Sequence, residues 1–291
     1  MLFICCHPSV AIEARVALML RVVMGVEVEE IATGFLASPP AVRQRITRAK
    51  AKIRGAGIAF ELPHRRFWDE RADGILMTLE LAFTAAYRAG ARTELAAEVE
   101  RLALMLAELL GEAGEVLGLA ALVVLARSRE AARAEGLPLS EQDATLWDAG
   151  RIDRARKLLD RPFDGAPGRF RLLALVHLTH ARRLFTGETD WKTIAALYHA
   201  LARIDPGPTV AIARAVAIGR AGDPLAGLAA LPAEVEGHAP WYAARGDLLG
   251  QKGEMEGAVD SLRRALELTE GEAPRQLLER RIDEFSRGCG S

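Results

Sequence analysis

Cysteines are scarce in this sequence, with three among 291 residues. A sparse and odd set does not build a disulfide framework and is typical of a reducing compartment. Cys5, Cys6 and His7 are consecutive, and consecutive side chains converge poorly on one tetrahedral metal ion. We therefore predict no metal site and no cofactor, and we expect the two cysteines to pack as small apolar residues.

Long apolar runs and export signals are also missing. No apolar stretch reaches the roughly 18 residues that a membrane-spanning helix needs. The amino terminus does not combine a basic region, an apolar core and a small-residue cleavage site, as a signal peptide does. These absences favour a cytoplasmic protein without a membrane partner.

None of the common catalytic motifs is present. There is no glycine-rich phosphate loop before a helix, no GxSxG sequence and no carboxylate pair that stands out from the surface charge. His177 and His180 share one helix without an acidic partner between them, which favours ordinary partly buried histidines over a metal site. The sequence therefore predicts that the protein is not an enzyme.

Aromatic residues make up only 5% of a sequence that is 50% hydrophobic. Alanine and leucine dominate, and the alternating pattern of strands is scarce, so we predict an all-α protein. Its length suits one to three helical domains. The net charge of −1 hides an asymmetry, because basic residues outnumber acidic ones near the amino end, as in proteins with a nucleic-acid-binding end.

The most informative segment is the basic stretch from Ser38 to Arg54. Ser38 is a favourable N-cap and Pro39 suits the first helical position, so a helix is predicted to begin here. Its apolar residues recur on one face, which leaves the rest of the helix surface to polar and basic side chains. The predicted DNA-binding residues are Arg43, Gln44, Arg45, Thr47, Arg48, Lys50, Lys52 and Arg54.

Two predicted helices precede this basic helix. The first runs from Pro8 to Met24 and ends at Gly25, and the second runs from Val28 to Phe35, followed by the turn LAS. This order predicts a helix-turn-helix with the recognition helix last. The alternative is an ordinary bundle helix with a solvated basic face.

The eight residues divide by position along the recognition helix. Its amino-terminal half enters a major groove, where arginine and glutamine read base edges. Base contacts are therefore predicted for Arg43, Gln44, Thr47 and Arg48. Phosphate contacts, which set affinity without sequence preference, are predicted for Arg45, Lys50, Lys52 and Arg54.

A short basic cluster follows the helix-turn-helix and contains His64, Arg65, Arg66 and Arg71. It is interpreted as a solvated linker, and a second DNA contact is the alternative.

The rest of the chain is predicted to be helical. We expect three domains: residues 1–62 as the helix-turn-helix, residues 63–163 as a helical middle domain and residues 164–291 as helical repeats. In the middle domain one helix is predicted from Glu115 to Glu135, ended by Gly136-Leu137-Pro138. In the last domain, helix pairs turn at Gly222 and at Gly253, and a spacing near 34 residues is typical of tetratricopeptide repeats.

Such repeats stack into a solenoid with a concave surface, because each helix pair leaves an apolar face for its neighbour to cover. Solenoids of this kind commonly bind peptides or helices. Candidate exposed residues on this surface are Arg214, Arg220, Trp241, Tyr242 and Arg245, although the two aromatic residues are the ones most readily explained as core.

The segment from Cys5 to Ile58, CCHPSVAIEARVALMLRVVMGVEVEEIATGFLASPPAVRQRITRAKAKIRGAGI, resembles the promoter-binding C-terminal domain of extracytoplasmic-function sigma factors. ETDW at Glu188 to Trp191 and YAARGDLLGQKGEMEGAVDSLRRALEL resemble the branch with a tetratricopeptide-like C-terminal extension. The resemblance implies that the first domain binds the −35 element of promoter DNA and the β flap of core RNA polymerase. A regulatory protein is a further expected partner, on the extension.

The same resemblance implies a missing part. The N-terminal domain of such factors, which binds the polymerase clamp and opens the −10 element, has no counterpart in this sequence. We therefore expect this chain alone not to start transcription. The alternative function is a helical-repeat scaffold for protein interactions that does not bind DNA.

Overall fold

A computed structural model describes residues 2–7, 9–35, 37–57, 64–65, 68–88, 93–133, 139 and 141–288. These residues form helices joined by turns and bends, with no strand among them. The all-α prediction is confirmed. The α-helices are α1 Leu2–Cys5, α2 Ile12–Val22, α3 Val28–Gly34, α4 Pro39–Gly55, α5 Trp68–Arg88, α6 Thr93–Leu109, α7 Gly114–Arg127, α8 Glu130–Arg133, α9 Ala149–Leu159, α10 Arg169–Ala181, α11 Arg183–Thr186, α12 Trp191–Leu201, α13 Pro208–Arg220, α14 Pro224–Ala229, α15 Ala239–Lys252, α16 Met255–Glu267 and α17 Glu272–Gly288.

The chain folds into two compact units. Unit 1 comprises residues 1–127 and 160–165, and unit 2 comprises residues 128–159 and 166–291. The predicted division into three domains stays a prediction, and its first boundary, at residues 62–63, lies outside the described residues. The predicted turn residue Leu36 and the predicted helix break at residues 136–138 also lie outside them.

In unit 1, the first four helices pack together, and α1, α2 and α3 also pack against α5. Helix α2 begins later than predicted, because Ala11 has an extended backbone with φ −60° and ψ 146° and forms its N-cap. Gly25 follows the helix with a φ of 70°, a conformation that glycine adopts without strain. The short α3 and the longer α4 then complete the helix-turn-helix.

Cys5 and Cys6 are buried in unit 1, as expected for packing residues, with 2% and 1% exposure. The Cys6 thiol donates to the Thr78 hydroxyl at 3.7 Å. Burial raises the pKa of Cys6 to about 12, so the thiol stays protonated at neutral pH. A protonated, enclosed thiol is a poor nucleophile and a poor metal ligand.

The helix predicted from Glu115 to Glu135 is wrong in its length. Helix α7 ends at Arg127, and the short α8 follows after a break. At the break the Ser128 carbonyl accepts the backbone N–H of Asp148 at 2.8 Å. That partner comes from a distant part of unit 2, and a tertiary contact of this kind overrides local helix propensity.

In unit 2, successive helices pack on one another. Val176, Ile194 and Ala217 join α10, α12 and α13 in one apolar cluster, and the α16–α17 pair has a similar cluster. The predicted turns are present, with φ values of 113° at Gly222 and 88° at Gly253. The tetratricopeptide-like character of these helices stays a prediction. No helix in the described part of the chain is long and apolar enough to cross a membrane.

Candidate nucleic-acid interface

Helix α4 begins where the sequence predicts it. The Ser38 hydroxyl accepts the backbone N–H of Ala41 at 3.4 Å, and prolines occupy the first helical positions, where no intrahelical N–H bond is lost. One side of the helix is buried against unit 1 through Val42, Ile46, Ala49 and Ile53. At 3.6 residues per turn these four fall within an arc of about 60°. Most of the helix surface therefore faces outward.

All eight predicted DNA-binding side chains are exposed on this helix. Helical geometry places Gln44 opposite the buried stripe, with Thr47 and Arg48 about 50° to either side of it, and these three side chains project furthest from the rest of unit 1. Arg43, Lys50 and Arg54 line one edge of the helix, and Arg45 and Lys52 line the other. Outward groups flanked by cations on both edges suit a helix lying in a groove between two phosphate backbones.

An acidic residue that sequence reasoning missed contacts this surface. Glu29, in the first turn of α3, accepts a hydrogen bond from Arg43 Nη1 at 2.8 Å. Hydrogen bonding from its own backbone N–H, and then from Arg43, lowers the pKa of Glu29. The carboxylate therefore stays ionised beside the recognition helix. No local pattern signals this pair, because its partners lie on different helices.

The Thr47 hydroxyl is not available as a hydrogen-bond donor. Its Oγ1 donates to the carbonyl of Arg43 at 2.9 Å, so its single proton is already used within the helix. The oxygen lone pairs and the methyl group remain available. Thr47 is therefore suited to accept a hydrogen bond or to contact the methyl group of thymine.

The basic cluster beyond the helix-turn-helix is partly engaged within unit 1. Arg65 lies over the Trp68 ring, 5.9 Å from its centroid, and Arg71 donates to the Phe3 carbonyl at 3.1 Å. Arg66 lies outside the described residues. These contacts fix Arg71 to α1 and favour a structural role for it over a DNA contact.

In unit 2, most residues suggested for an exposed concave surface are not free. Trp241 is 8% exposed and meets the Tyr242 ring edge-on at 5.3 Å. Arg220 is paired with Asp247, and Arg245 donates to the Ser261 hydroxyl at 2.5 Å. The burial of Trp241 agrees with the interpretation of this residue as core and removes it from the candidate exposed surface.

Metal-binding groups do not assemble elsewhere in the described residues. No three His, Cys, Asp or Glu side chains there are grouped around a common point. Arg129 Nη2 lies 3.0 Å from His177 Nδ1, and because arginine only donates, this nitrogen must be the acceptor of a neutral imidazole.

Comparison with known proteins identifies a relative across almost the whole chain. The uncharacterized protein R00370 of Rhizobium meliloti (strain 1021) is 34% identical over 299 residues, and the alignment covers 98% of this chain and 71% of that protein. The chain belongs to the same family as R00370. Residues 1–53 match the family described as Sigma-70, region 4, and residues 71–163 match a family of unknown function, DUF6596. No solved structure matches the chain.

The Sigma-70 region 4 match makes the amino-terminal segment a sigma-factor-like region. Region 4 is a helix-turn-helix that interacts with the −35 promoter element and RNA polymerase, so the predicted helix-turn-helix is confirmed. The match covers α1 to α3 and most of α4, and it includes every predicted DNA-binding residue except Arg54, which follows directly after it. The roles of the individual residues stay predictions.

Proposed function

We propose that the chain acts in bacterial transcription initiation, as a sigma factor or as part of one. In this proposal α4 binds the −35 element of promoter DNA, and the same domain contacts the β flap of core RNA polymerase. The observation that carries the proposal is the outward presentation of eight polar and basic side chains on the last helix of a Sigma-70 region 4 match. The protein would act in the cytoplasm and would catalyse no reaction of its own.

The proposed contacts divide between specificity and affinity. Arg43, Gln44, Thr47 and Arg48 would read base edges, with Thr47 contributing acceptor and methyl contacts. Arg45, Lys50, Lys52 and Arg54 would bind phosphates. Gln44, Thr47 and Arg48 project furthest from the rest of unit 1, which supports base contacts for them. The four proposed phosphate ligands lie along the two edges of the helix, and Arg43 shares one of these edges.

For the helical part of the chain we propose a regulatory extension. Paired helices with glycine turns at Gly222 and Gly253 support a tetratricopeptide-like arrangement, and such arrangements bind peptides or helices of other proteins. A regulatory protein is therefore the proposed partner of this extension.

A salt titration of the full chain on duplex DNA tests DNA binding. Phosphate contacts release counterions, so the logarithm of the affinity should fall linearly with the logarithm of salt concentration, by about 0.9 for each neutralised phosphate. Replacing the four proposed phosphate ligands with alanine should reduce this slope by about 3 to 4.

The matched control removes four exposed cations from unit 2, namely Lys157, Lys192, Arg263 and Arg264. It changes the net charge of the protein equally, so it should leave the slope unchanged. Equal slopes for the two variants would reject the interface. A full chain that does not bind duplex DNA even in dilute buffer would instead support the alternative, a helical scaffold without DNA binding.

Polymerase association is tested separately, with core RNA polymerase and no DNA. The variant lacking the four phosphate ligands should still bind core polymerase, because the proposed flap contact does not use phosphate ligands. A chain that binds duplex DNA but never core polymerase would remove the sigma-factor assignment while leaving the DNA interface intact.

A further inference from the structure

Residues 141–147 form a strap across unit 2, between α8 and α9, with one short 3-10 turn at Ala144–Leu146. Two of its seven side chains are buried, and the others are exposed or partly exposed. Gln142 and Trp147 are buried, with 6% and 5% exposure, whereas Glu141, Asp143 and Thr145 face outward. The two buried side chains help to fix a segment that makes few regular backbone hydrogen bonds of its own.

The first anchor point is Arg183 of α11. Its Nη2 donates to the backbone carbonyl of Gln142, and its guanidinium lies over the Trp147 ring, 5.1 Å from the centroid. One arginine thus holds both the backbone and the aromatic side chain of the strap, through a hydrogen bond and a cation–π contact.

The second anchor point is Arg281 of α17. Its Nη2 donates to Glu141 Oε1 at 2.6 Å, while its Nη1 donates to Asp247 Oδ1. Asp247 is also bound by Arg220, whose Nη2 lies 3.1 Å from both carboxylate oxygens. The strap therefore contacts a network of side chains from α13, α15 and α17.

The strap supplies one of the two negative charges in this network. Arg220 and Arg281 bring two positive charges, and Asp247 and Glu141 bring two negative ones. Without Glu141 the cluster has a surplus positive charge at Arg281, while Asp247 still holds that guanidinium in place. The surface is thus a preformed binding site for a carboxylate, with Arg183 ready to receive an aromatic ring nearby.

The buried Trp147 side chain has an unsatisfied polar group, which favours displacement of the strap by another ligand. Trp147 Nε1 is buried and has no hydrogen-bond partner among the described residues. A buried N–H without an acceptor loses its hydration without compensation. The strap is therefore held less tightly than its contacts would otherwise allow, and an aromatic ring without that donor would fit better.

We propose that Arg183 and Arg281 form a binding site for an extended peptide segment of a partner protein. The segment carries a carboxylate and, about six positions further on, an aromatic side chain, which is the spacing of Glu141 and Trp147. The strap occupies this site as an internal ligand, and a partner binds by displacing it. The site is formed within unit 2 and does not depend on DNA binding.

The test uses a labelled peptide of the strap's own sequence, EQDATLWDA, titrated with the full chain. In the wild type the tethered strap competes at an effective concentration in the millimolar range, so binding should be weak. Glu141→Gln with Trp147→Ala replaces the two side chains that Arg281 and Arg183 hold and leaves only the Gln142 carbonyl on Arg183. The double variant should therefore weaken the tethered competitor and raise peptide affinity at least about tenfold. A peptide with glutamine and alanine at the two anchor positions should not bind.

A matched control chain carries Glu267→Gln with Leu225→Ala, which changes an acidic and an apolar side chain at exposed positions of the same unit. It should bind the peptide as weakly as the wild type. Adding Arg281→Ala to the double variant should abolish the gain in peptide affinity. A folded double variant that binds no better than the control would overturn the proposal.

If the double variant does not fold, the single variant Glu141→Gln tests the proposal instead. It changes one partly exposed group without altering its shape. It should raise peptide affinity about fivefold, the size of a modest ion pair, and speed hydrogen exchange at the backbone amides of residues 142–147. Unchanged affinity together with unchanged exchange would show that the strap is a fixed part of the fold.

Discussion

The arginines of α4 and those of unit 2 share one side-chain chemistry and have opposite surroundings. On α4, ion pairing among the described residues reaches only Arg43 of the eight-residue surface, and the other cations point into solvent. In unit 2, Arg220 and Arg281 share Asp247, and Arg183 is committed to the strap. Surplus charge makes a surface that attracts a polyanion, whereas paired charge holds elements of the fold together.

This difference follows from the sequence positions of the acidic residues that could pair with the arginines. The segment of α4 contains no acidic residue, and its one carboxylate partner belongs to α3. In unit 2 the partners are distant in sequence, such as Arg281 and Glu141, which are 140 positions apart. Composition alone therefore does not separate a binding surface from a structural network.

The largest expected effect is on the stability of unit 2, where the arginines are ion-paired. Asp247→Ala leaves Arg220 and Arg281 adjacent without their shared carboxylate, in a site where the Asp247 side chain is 12% exposed. The free energy of unfolding of unit 2 should fall by about 3 kcal/mol. Urea unfolding followed by tryptophan fluorescence measures it, because Trp147, Trp191 and Trp241 lie in unit 2.

The control for this change is Asp260→Ala, which removes an exposed carboxylate paired with Arg263 at 3.7 Å. Its effect should stay within about 0.5 kcal/mol, and DNA affinity should be unchanged in both variants. Similar losses of stability for the two substitutions would mean that the network does not stabilise unit 2.

The next largest effect is a loss of stability at acidic pH. Burial, and then the charges of Arg129 and Arg183, lower the pKa of His180 to about 4, and burial also lowers the pKa of His177. The unfolded chain, with ordinary histidine pKa values, takes up protons first as pH falls. Stability is therefore fully present above about pH 6.5 and should fall towards pH 4, by about 2 kcal/mol between pH 7.5 and pH 5 from His180 alone.

Urea unfolding at several pH values measures this slope, and His180→Gln should reduce it to the part that His177 contributes. Helix α4 contains no histidine, so DNA binding should not follow this decline. A wild-type stability that is independent of pH in this window would contradict the neutral, buried state of the histidine.

A smaller effect separates the two proposed roles within α4. Arg48→Ala should reduce discrimination between a selected −35 duplex and a random one by about 1 to 2 kcal/mol. Lys52→Ala should weaken both duplexes alike and lower the salt slope by about 0.9. Fluorescence anisotropy on the two duplexes measures both quantities. Identical behaviour of the two variants would remove the division between base and phosphate contacts.

The smallest effect should come from Glu29→Gln, which releases Arg43 from its ion pair. The freed guanidinium and the lost negative charge should tighten binding to random duplex DNA by no more than about threefold. Glu30→Gln is the control, because it removes the same charge from α3 without releasing Arg43. A weaker affinity in Glu29→Gln would instead mean that the carboxylate holds Arg43 in its DNA-binding position.

The parts of this molecule that could be predicted from sequence are those governed by local signals. Ser38, Pro39 and the apolar stripe were enough to place α4, and Gly222 and Gly253 marked turns that the structure contains. The parts that could not be predicted depend on distant partners. The break after Arg127 needs the amide of Asp148, and the pairing of Glu29 with Arg43 joins two helices.

The consecutive prolines that open α4 have one more consequence. Pro39 and Pro40 each fix a backbone angle, and Pro39 also restricts Ser38 to the extended conformation that it adopts, with ψ 146°. The entry to the recognition helix is therefore stiff before any DNA arrives, and little conformational entropy remains to be lost there on binding. In the proposed promoter complex, rigidity of this kind favours tight binding to a matching site over adaptation to a mismatched one.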